Sequence, residues 1–379
     1  MNREEWVEFA KSEPEREREL LIRSFDTLMS NVYEENCYLW SPYRCISPGK
    51  GNFQGIWNWD SAFHAIGVSR WDNALAKESI LGFLKFQRED GLLPDVIWED
   101  GGMVDTFSKP PVFPWAVKVV YERDKDIEFL NAVYPKLVLN EDFWRKQRFY
   151  QGLFYYDADN REAPDYLQRV KYESGWDNSP RFDSGITDLW PIDLNCFMVL
   201  FYRSMSYLAD ELGLSEDAAK WKNREDELTA LVMEFMWDKQ NNCFTDVNKI
   251  TKQNTDVLTP ASFMPLFVGI ASRKQAEEMG KIAEKRFKNK MPTVTYDHPM
   301  YSNDYWRGPT WINVAYFATK GLKNYNLAVA DEIKENILNM CYNEKRGIFE
   351  NYDSLNGKGL CCDHFSWSSV FINEFILNF

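Results

Sequence analysis

The chain has 379 residues, 45% hydrophobic and 16% aromatic, and a formal charge of −14. That length holds one large domain or two ordinary ones around a substantial core. The negative field disfavours nucleic acid and anionic membrane surfaces as partners, and no apolar run reaches the roughly 18 residues of a membrane-spanning helix.

Apolar residues recur mainly at helical spacing. Leu21, Phe25 and Leu28 mark a first helix, and a second is expected over 59–70. Asp72 is a candidate cap for Asn73-Ala74-Leu75, ahead of the stripe Ile80, Leu81 and Leu84. Helices follow over 112–122, 126–148, 190–211, 215–236 (with Ser215 at its start), 260–270, 273–288, 310–321 (with Pro309 near its first turn), 325–342 and 365–377. About a dozen helices leave little room for strands. Charged runs such as Glu15-Arg16-Glu17-Arg18-Glu19 and Glu225-Asp226-Glu227 read as solvated helix faces.

Between the helices lie polar tracts: Gly91-Leu92-Leu93-Pro94-Asp95, and long loops near 151–189, 289–309 and 351–363. A tract of nearly forty residues without helical periodicity inside a compact domain reads as a functional loop. No linker, low-complexity segment or solenoid repeat divides the chain, so a single domain over 1–379 is expected. Short turns alternating with long loops suggest an all-α fold, six helical hairpins closed into an (α/α)6 barrel.

Seven Cys without a CxxC pair, two of them vicinal at Cys361-Cys362, fit reduced thiols rather than a disulfide framework. The charged start Met1-Asn2-Arg3-Glu4-Glu5-Trp6 has no apolar leader core, so a soluble, cytoplasmic protein is expected. Cys361-Cys362-Asp363-His364 contains one CxxH spacing with no second pair, and His64, His298 and His364 match no metal-ligand pattern, so no metal is expected. Asp157-Ala158-Asp159-Asn160-Arg161-Glu162 lacks the sixth-position Gly of a calcium loop and reads as a turn. GxSxG, GxxxxGK[ST], HExxH and GxGxxG are all missing, and no cofactor is expected.

The loop Tyr172-Glu173-Ser174-Gly175-Trp176-Asp177-Asn178-Ser179-Pro180-Arg181-Phe182-Asp183 collects carboxylates, an indole, an amide and a guanidinium, groups suited to a sugar. The 15 Trp of the chain point the same way, because indole faces accept pyranose CH groups; a large core is the alternative use for them. Glycoside hydrolysis needs one carboxylic acid to protonate the leaving oxygen and a second carboxylate on the other face of the ring. Candidates in or beside aromatic-rich loops are Asp60, Glu173, Asp177, Asp183, Glu350, Asp353 and Asp363. Asp177 has an apolar wall in Trp176 that would raise its pKa, but it could equally cap a turn. Glu350, between Phe349 and Asn351, could hold a water or form a surface ion pair. Asp60 could bind vicinal hydroxyls, cap its helix, or both. Arg181 and Arg307 could meet hydroxyls or a substrate carboxylate, or orient an acid through a salt bridge.

Glu173-Ser174-Gly175-Trp176-Asp177-Asn178-Ser179-Pro180-Arg181-Phe182 resembles the general-acid motif of the family 63 and family 37 glycoside hydrolases, inverting enzymes on an (α/α)6 barrel. Trp57-Asn58-Trp59-Asp60, Tyr305-Trp306-Arg307-Gly308-Pro309-Thr310-Trp311, Phe349-Glu350-Asn351-Tyr352 and Phe365-Ser366-Trp367-Ser368 resemble other blocks of that group in the same order, over roughly 50–375. The resemblance implies Asp177 as general acid and Glu350 as general base, with carboxyls roughly 6.5–9.5 Å apart. It implies a sugar subsite with Asp60 and Arg307, in which Trp57, Trp59, Trp176, Arg181, Trp306, His364 and Trp367 are the further expected contacts. The compact length is closest to the bacterial mannosylglycerate and glucosylglycerate hydrolases, which implies a small α-mannoside or α-glucoside as substrate. Trehalases resemble the Asp177 block less well. Two other readings are a sugar 2-epimerase, which depends on His, and a sugar-binding protein without turnover.

Overall fold

The computed structural model describes residues 1–34, 36–287 and 290–379. Among these residues are fourteen α-helices, while the strands are ladders of two or three residues per strand. No helix among them is long and apolar enough to cross a membrane. Helices buried nearly all round alternate along the chain with helices that keep one face exposed. Asn58–Val68 is buried at every position, whereas Asn73–Leu84 buries only one side. Ile312–Asn324 and Ser366–Leu377 are likewise buried over most of their length, and Val329–Asn343 is amphipathic. A helix apolar all round belongs in an interior and one with an apolar stripe covers it, so the alternation describes inner and outer partners.

Packing gathers the chain into two compact units, neither continuous in sequence. One comprises Asn31–Gly175 and Leu194–Val232. In it Asn58–Val68 packs on Asn73–Leu84 and Phe113–Asp124. Asp72 caps as its position suggests, accepting from Leu75 N–H at 2.9 Å. An antiparallel ladder of Gly55–Trp57, Val96–Trp98 and Met103–Val104 delivers Trp57 to the start of the first of these helices.

The other unit comprises Met1–Ser30, Trp176–Asp193 and Met233–Phe379. Here Ser366–Leu377 packs against Glu15–Ser30 and Ile312–Asn324. Tyr316 meets Phe371 and Phe375 at ring distances of 5.4 and 5.1 Å, an aromatic core between the two buried helices.

Several elements depart from the periodicity. Residues 260–270 form a 3-10 turn, Pro260–Phe263, and a short helix, Met264–Phe267, instead of one helix. Pro260 and Pro265 both sit in first turns, where a missing N–H costs nothing, so each proline starts a new segment. The 273–288 helix is α-helical over Arg273–Ile282 and then π-helical over Ala283–Phe287; Lys288, like Asn289 at the head of the 289–309 loop, lies outside the described residues. The helix Arg3–Ala10 has no counterpart among the expected elements, and the 151–189 tract contains a further helix, Tyr166–Ser174. The latter buries only Val170, Glu173 and Ser174, so it shows no apolar stripe.

Candidate active site

The segment after Gly175 is anchored by Arg181. This guanidinium is buried and donates to Asp193 at 2.8 and 3.0 Å and to Asp246 at 2.8 and 3.0 Å. Burial pulls its pKa down, but the two carboxylate partners together outweigh burial and hold it well above the ordinary value. The guanidinium also lies 5.0 Å from the Trp176 ring centre, so it supports the residue before Asp177 from behind. Arg181 is thus not a sugar contact: its donors are spent on two carboxylates, as the salt-bridge alternative required.

Asn178 ties Asp177 to the segment around Trp306. Its amide oxygen accepts from Trp306 N–H at 2.8 Å, its amide nitrogen donates to Asp304 at 3.0 Å, and its carbonyl accepts from Arg307 Nη1 at 2.8 Å. Arg307 also forms a two-pronged pair with Asp183 at 2.6 and 3.1 Å, and these bonds raise its pKa. Beside this clamp Trp306 stacks on Trp311 at 3.8 Å and 12°, Trp176 meets Trp306 at 4.9 Å, and Trp367 meets Trp311 edge-on at 5.6 Å. Trp176, Trp306, Trp311 and Trp367 therefore form one continuous indole cluster, with Asp177 half-buried next in sequence to its first member.

Glu350 enters from a hairpin. Its N–H donates to Cys362 carbonyl at 2.8 Å, and the ladder continues through Asn351–Tyr352 and Gly359–Leu360. Ser368 Oγ donates to the Glu350 carbonyl at 3.3 Å, joining the hairpin to the Ser366–Leu377 helix. The Glu350 carboxyl accepts from Tyr305 hydroxyl at 2.8 Å and from Cys362 N–H at 3.4 Å. Burial pushes its pKa up to about 7; the two donors pull the other way, and the charge of Asp177 adds to the rise. Asp177 also acts on the Tyr305 hydroxyl, together with Glu350. The two carboxyls expected as acid and base thus interact electrostatically, although they are 173 positions apart in sequence (350 − 177).

In the other unit, Trp57 is the N-cap of Asn58–Val68, and Asp60 lies in its first turn rather than at the cap. A carboxylate there is stabilised by the helix N-terminus. Trp57 is wedged edge-on between Phe53 at 5.5 Å and Trp98 at 5.2 Å. Trp59 presses on Gly175: a Cβ at that glycine, whose φ is +73°, would stand 2.5 Å from the indole. Only glycine fits this helix end without strain.

The remaining acids have structural partners. Glu173 is fully buried and accepts from Ser108 N–H, Asp157 N–H and the Arg148 guanidinium. Asp353 holds its own turn through Leu355 and Asn356 N–H, and Asp363 lies exposed, 3.5 Å from His364 Nδ1. His364 is likewise exposed. Among the described residues no group of three or more His, Cys, Asp or Glu could hold a metal ion.

The model of the mannosylglycerate hydrolase MGH1-like glycoside hydrolase domain matches residues 54–368. The chain belongs to this family, in glycoside hydrolase family 63. It is similar to the mannosylglycerate hydrolase of Thermus thermophilus, 24% identical over 85% of this chain and 94% of the relative. A crystal structure of the family 63 mannosylglycerate hydrolase from the same species, in complex with Tris and D-glycerate, superposes with a TM-score of 0.79, at 22% identity over 93% of this chain and 98% of that one. Neutral trehalase from Saccharomyces cerevisiae gives 0.75, at 18% identity over 88% of this chain and 73% of that one. The fold of this family 63 glycosidase is accordingly the expected (α/α)6 barrel.

Tyr305, which donates to Glu350, and Asn178, which accepts from Trp306 N–H, are not among the candidates that the sequence singles out. Both lie inside the motifs quoted above. Nothing in their spacing distinguishes a clamp or a hydroxyl donor from a loop residue; their roles emerge only when the 177 and 305 segments meet.

Proposed function

We propose that the protein is an inverting α-glycoside hydrolase of small α-mannosides or α-glucosides, with mannosylglycerate and glucosylglycerate as the leading substrates. The observation that carries this reading is the Glu350 carboxyl, buried, cradled by two donors and electrostatically coupled to Asp177. Burial outweighs the two donors and holds the Glu350 pKa near 7, while the donors favour the carboxylate form a base needs; once ionised, such a carboxylate is basic enough to take a proton from water. In this reading Asp177 protonates the glycosidic oxygen as the C–O bond breaks. Water adds to the anomeric carbon from the opposite face and loses its proton to Glu350. The indoles of Trp176, Trp306 and Trp367 bind the sugar, with Arg307 and His364 toward its polar edge; for Asp60, Trp57 and Trp59, which belong to the other unit, the sugar-binding role rests on the motif resemblance alone. The mannosylglycerate hydrolases among the relatives support the glycerate aglycone, and one domain over 1–379 carries the reaction.

The test is hydrolysis of a panel of mannosylglycerate, glucosylglycerate, trehalose, kojibiose and nigerose by the parent, Asp177→Asn and Glu350→Gln. Turnover of a glycerate glycoside, reduced at least ~1,000-fold in both variants, is the expected result. Preference for trehalose would support a trehalase-like enzyme. Saturable sugar binding without product would support a binding protein, and epimerisation that survives Glu350→Gln would support a 2-epimerase.

A further inference from the structure

Tyr305 occupies a conformation that an aromatic residue adopts only under constraint. Its φ is +46°, in the left-handed region where a side chain with a Cβ is disfavoured. Its carbonyl accepts from Trp311 Nε1 at 2.9 Å, and its ring stands edge-on to Trp311 at 4.9 Å and to Trp306 at 6.3 Å. These contacts fix both ends of the residue and aim the hydroxyl at Glu350 Oε1, 2.8 Å away. Non-glycine residues held at positive φ cluster where function depends on placement.

We propose that Tyr305 is a positioning residue for the general base: its hydroxyl pins Glu350 Oε1 so that Oε2 takes the proton from the attacking water. This rests on the reading of Glu350 as base. Among the described residues Oε2 accepts only the longer bond from Cys362 N–H, at 3.4 Å, and so keeps acceptor capacity for a water. In the step, the water oxygen bonds to the anomeric carbon, its proton goes to Oε2, and the glycosidic oxygen leaves with the proton of Asp177.

The groups acting on the carboxyl are consistent with that role. Asp177 opposes its ionisation, whereas Tyr305 and Cys362 N–H favour it. The Tyr305 hydroxyl is itself pushed far up by burial and by both carboxylates, so it stays protonated and can only donate. The Cys361 thiol is pushed up by burial and by the charges of Glu350 and Asp304 and stays neutral, and the Cys362 thiol is turned to the Asp363 carbonyl at 3.1 Å. Asp363 and His364 pair with each other at the end of the hairpin.

The experiment is the pH dependence of kcat/KM on mannosylglycerate for the parent, Tyr305→Phe and Glu350→Gln, with thermal unfolding of each. Tyr305→Phe keeps the ring packing and removes one donor to a carboxylate. It should move the acidic limb up by about one pH unit and lower kcat/KM at pH 6 by about tenfold, at an unfolding temperature unchanged near pH 4, where the carboxyl is protonated in both forms. Placing 2,3-difluorotyrosine at 305, a stronger donor of nearly the same shape, should move the limb down. If Glu350→Gln is inactive while both limbs stay where the parent's is, Tyr305 only packs and the proposal is overturned. If Glu350→Gln retains activity, the assignment of the base falls first and the proposal with it.

Discussion

A carboxyl pushed up to about 7 by burial keeps its proton further up the pH scale in the folded chain than in the unfolded one. Between the ordinary carboxyl range and about 7 the native state of Glu350 therefore binds more protons, and stability falls as pH rises through that window. Glu350→Gln removes this liability. Its unfolding temperature should exceed the parent's by roughly 2 °C or more at pH 8, with the difference vanishing near pH 4; an equal offset at both pH values would contradict the burial account. Arg181 carries the opposite expectation. Arg181→Met leaves Asp193 and Asp246 buried beside each other without their cation, and should lower stability by about 3–5 kcal/mol in urea unfolding. A loss below ~1 kcal/mol would mean that water reaches the pair. The expectation of Arg181 as a sugar contact fails because a guanidinium beside proline in a polar loop looks the same whether it faces a hydroxyl or two carboxylates. One of those carboxylates lies 65 positions away, beyond the reach of any local pattern.

The helices most legible in the sequence are those with an apolar stripe or an apolar interior: the expected bounds of Asn58–Val68 and Ser366–Leu377 agree with the observed ones to within a residue or two. Tyr166–Ser174 is hidden in an expected loop because it buries a glutamate and a serine, and burial of polar side chains leaves no period to read. The same segment shows how elements cooperate at the site. The helix ends on Gly175, the chain turns, and Asn178 fastens the stretch after it to the backbone of Trp306. Asn178→Ala deletes two of the three bonds of that clamp and leaves the carbonyl bond to Arg307. Asp177 should then lose its placement, with kcat falling about 10–100-fold while KM changes by less than about threefold. An unchanged kcat would show that the indole cluster alone holds the acid.

For the chain as a whole, motif order along the sequence is the strongest guide. Blocks around positions 60, 177, 307, 350 and 367 read as parts of one glycosidase before any distance is known, and the family match over 54–368 bears out that assignment. The alternation of buried and half-exposed helices is readable as a helical fold, but closure into a barrel depends on how hairpins meet, which no local spacing encodes; likeness to solved family 63 and trehalase structures supplies it. Stereochemistry follows from the separation of the two carboxyls, roughly 6.5–9.5 Å where a water must fit between base and sugar and about 5–5.5 Å where the carboxylate attacks directly. The direct test is proton NMR of the first minutes of mannosylglycerate hydrolysis, before mutarotation equalises the anomers. The account predicts that β-mannose appears first. Initial release of α-mannose would establish retention, make one carboxylate a nucleophile, and contradict the assignment of Glu350 as the base that activates water.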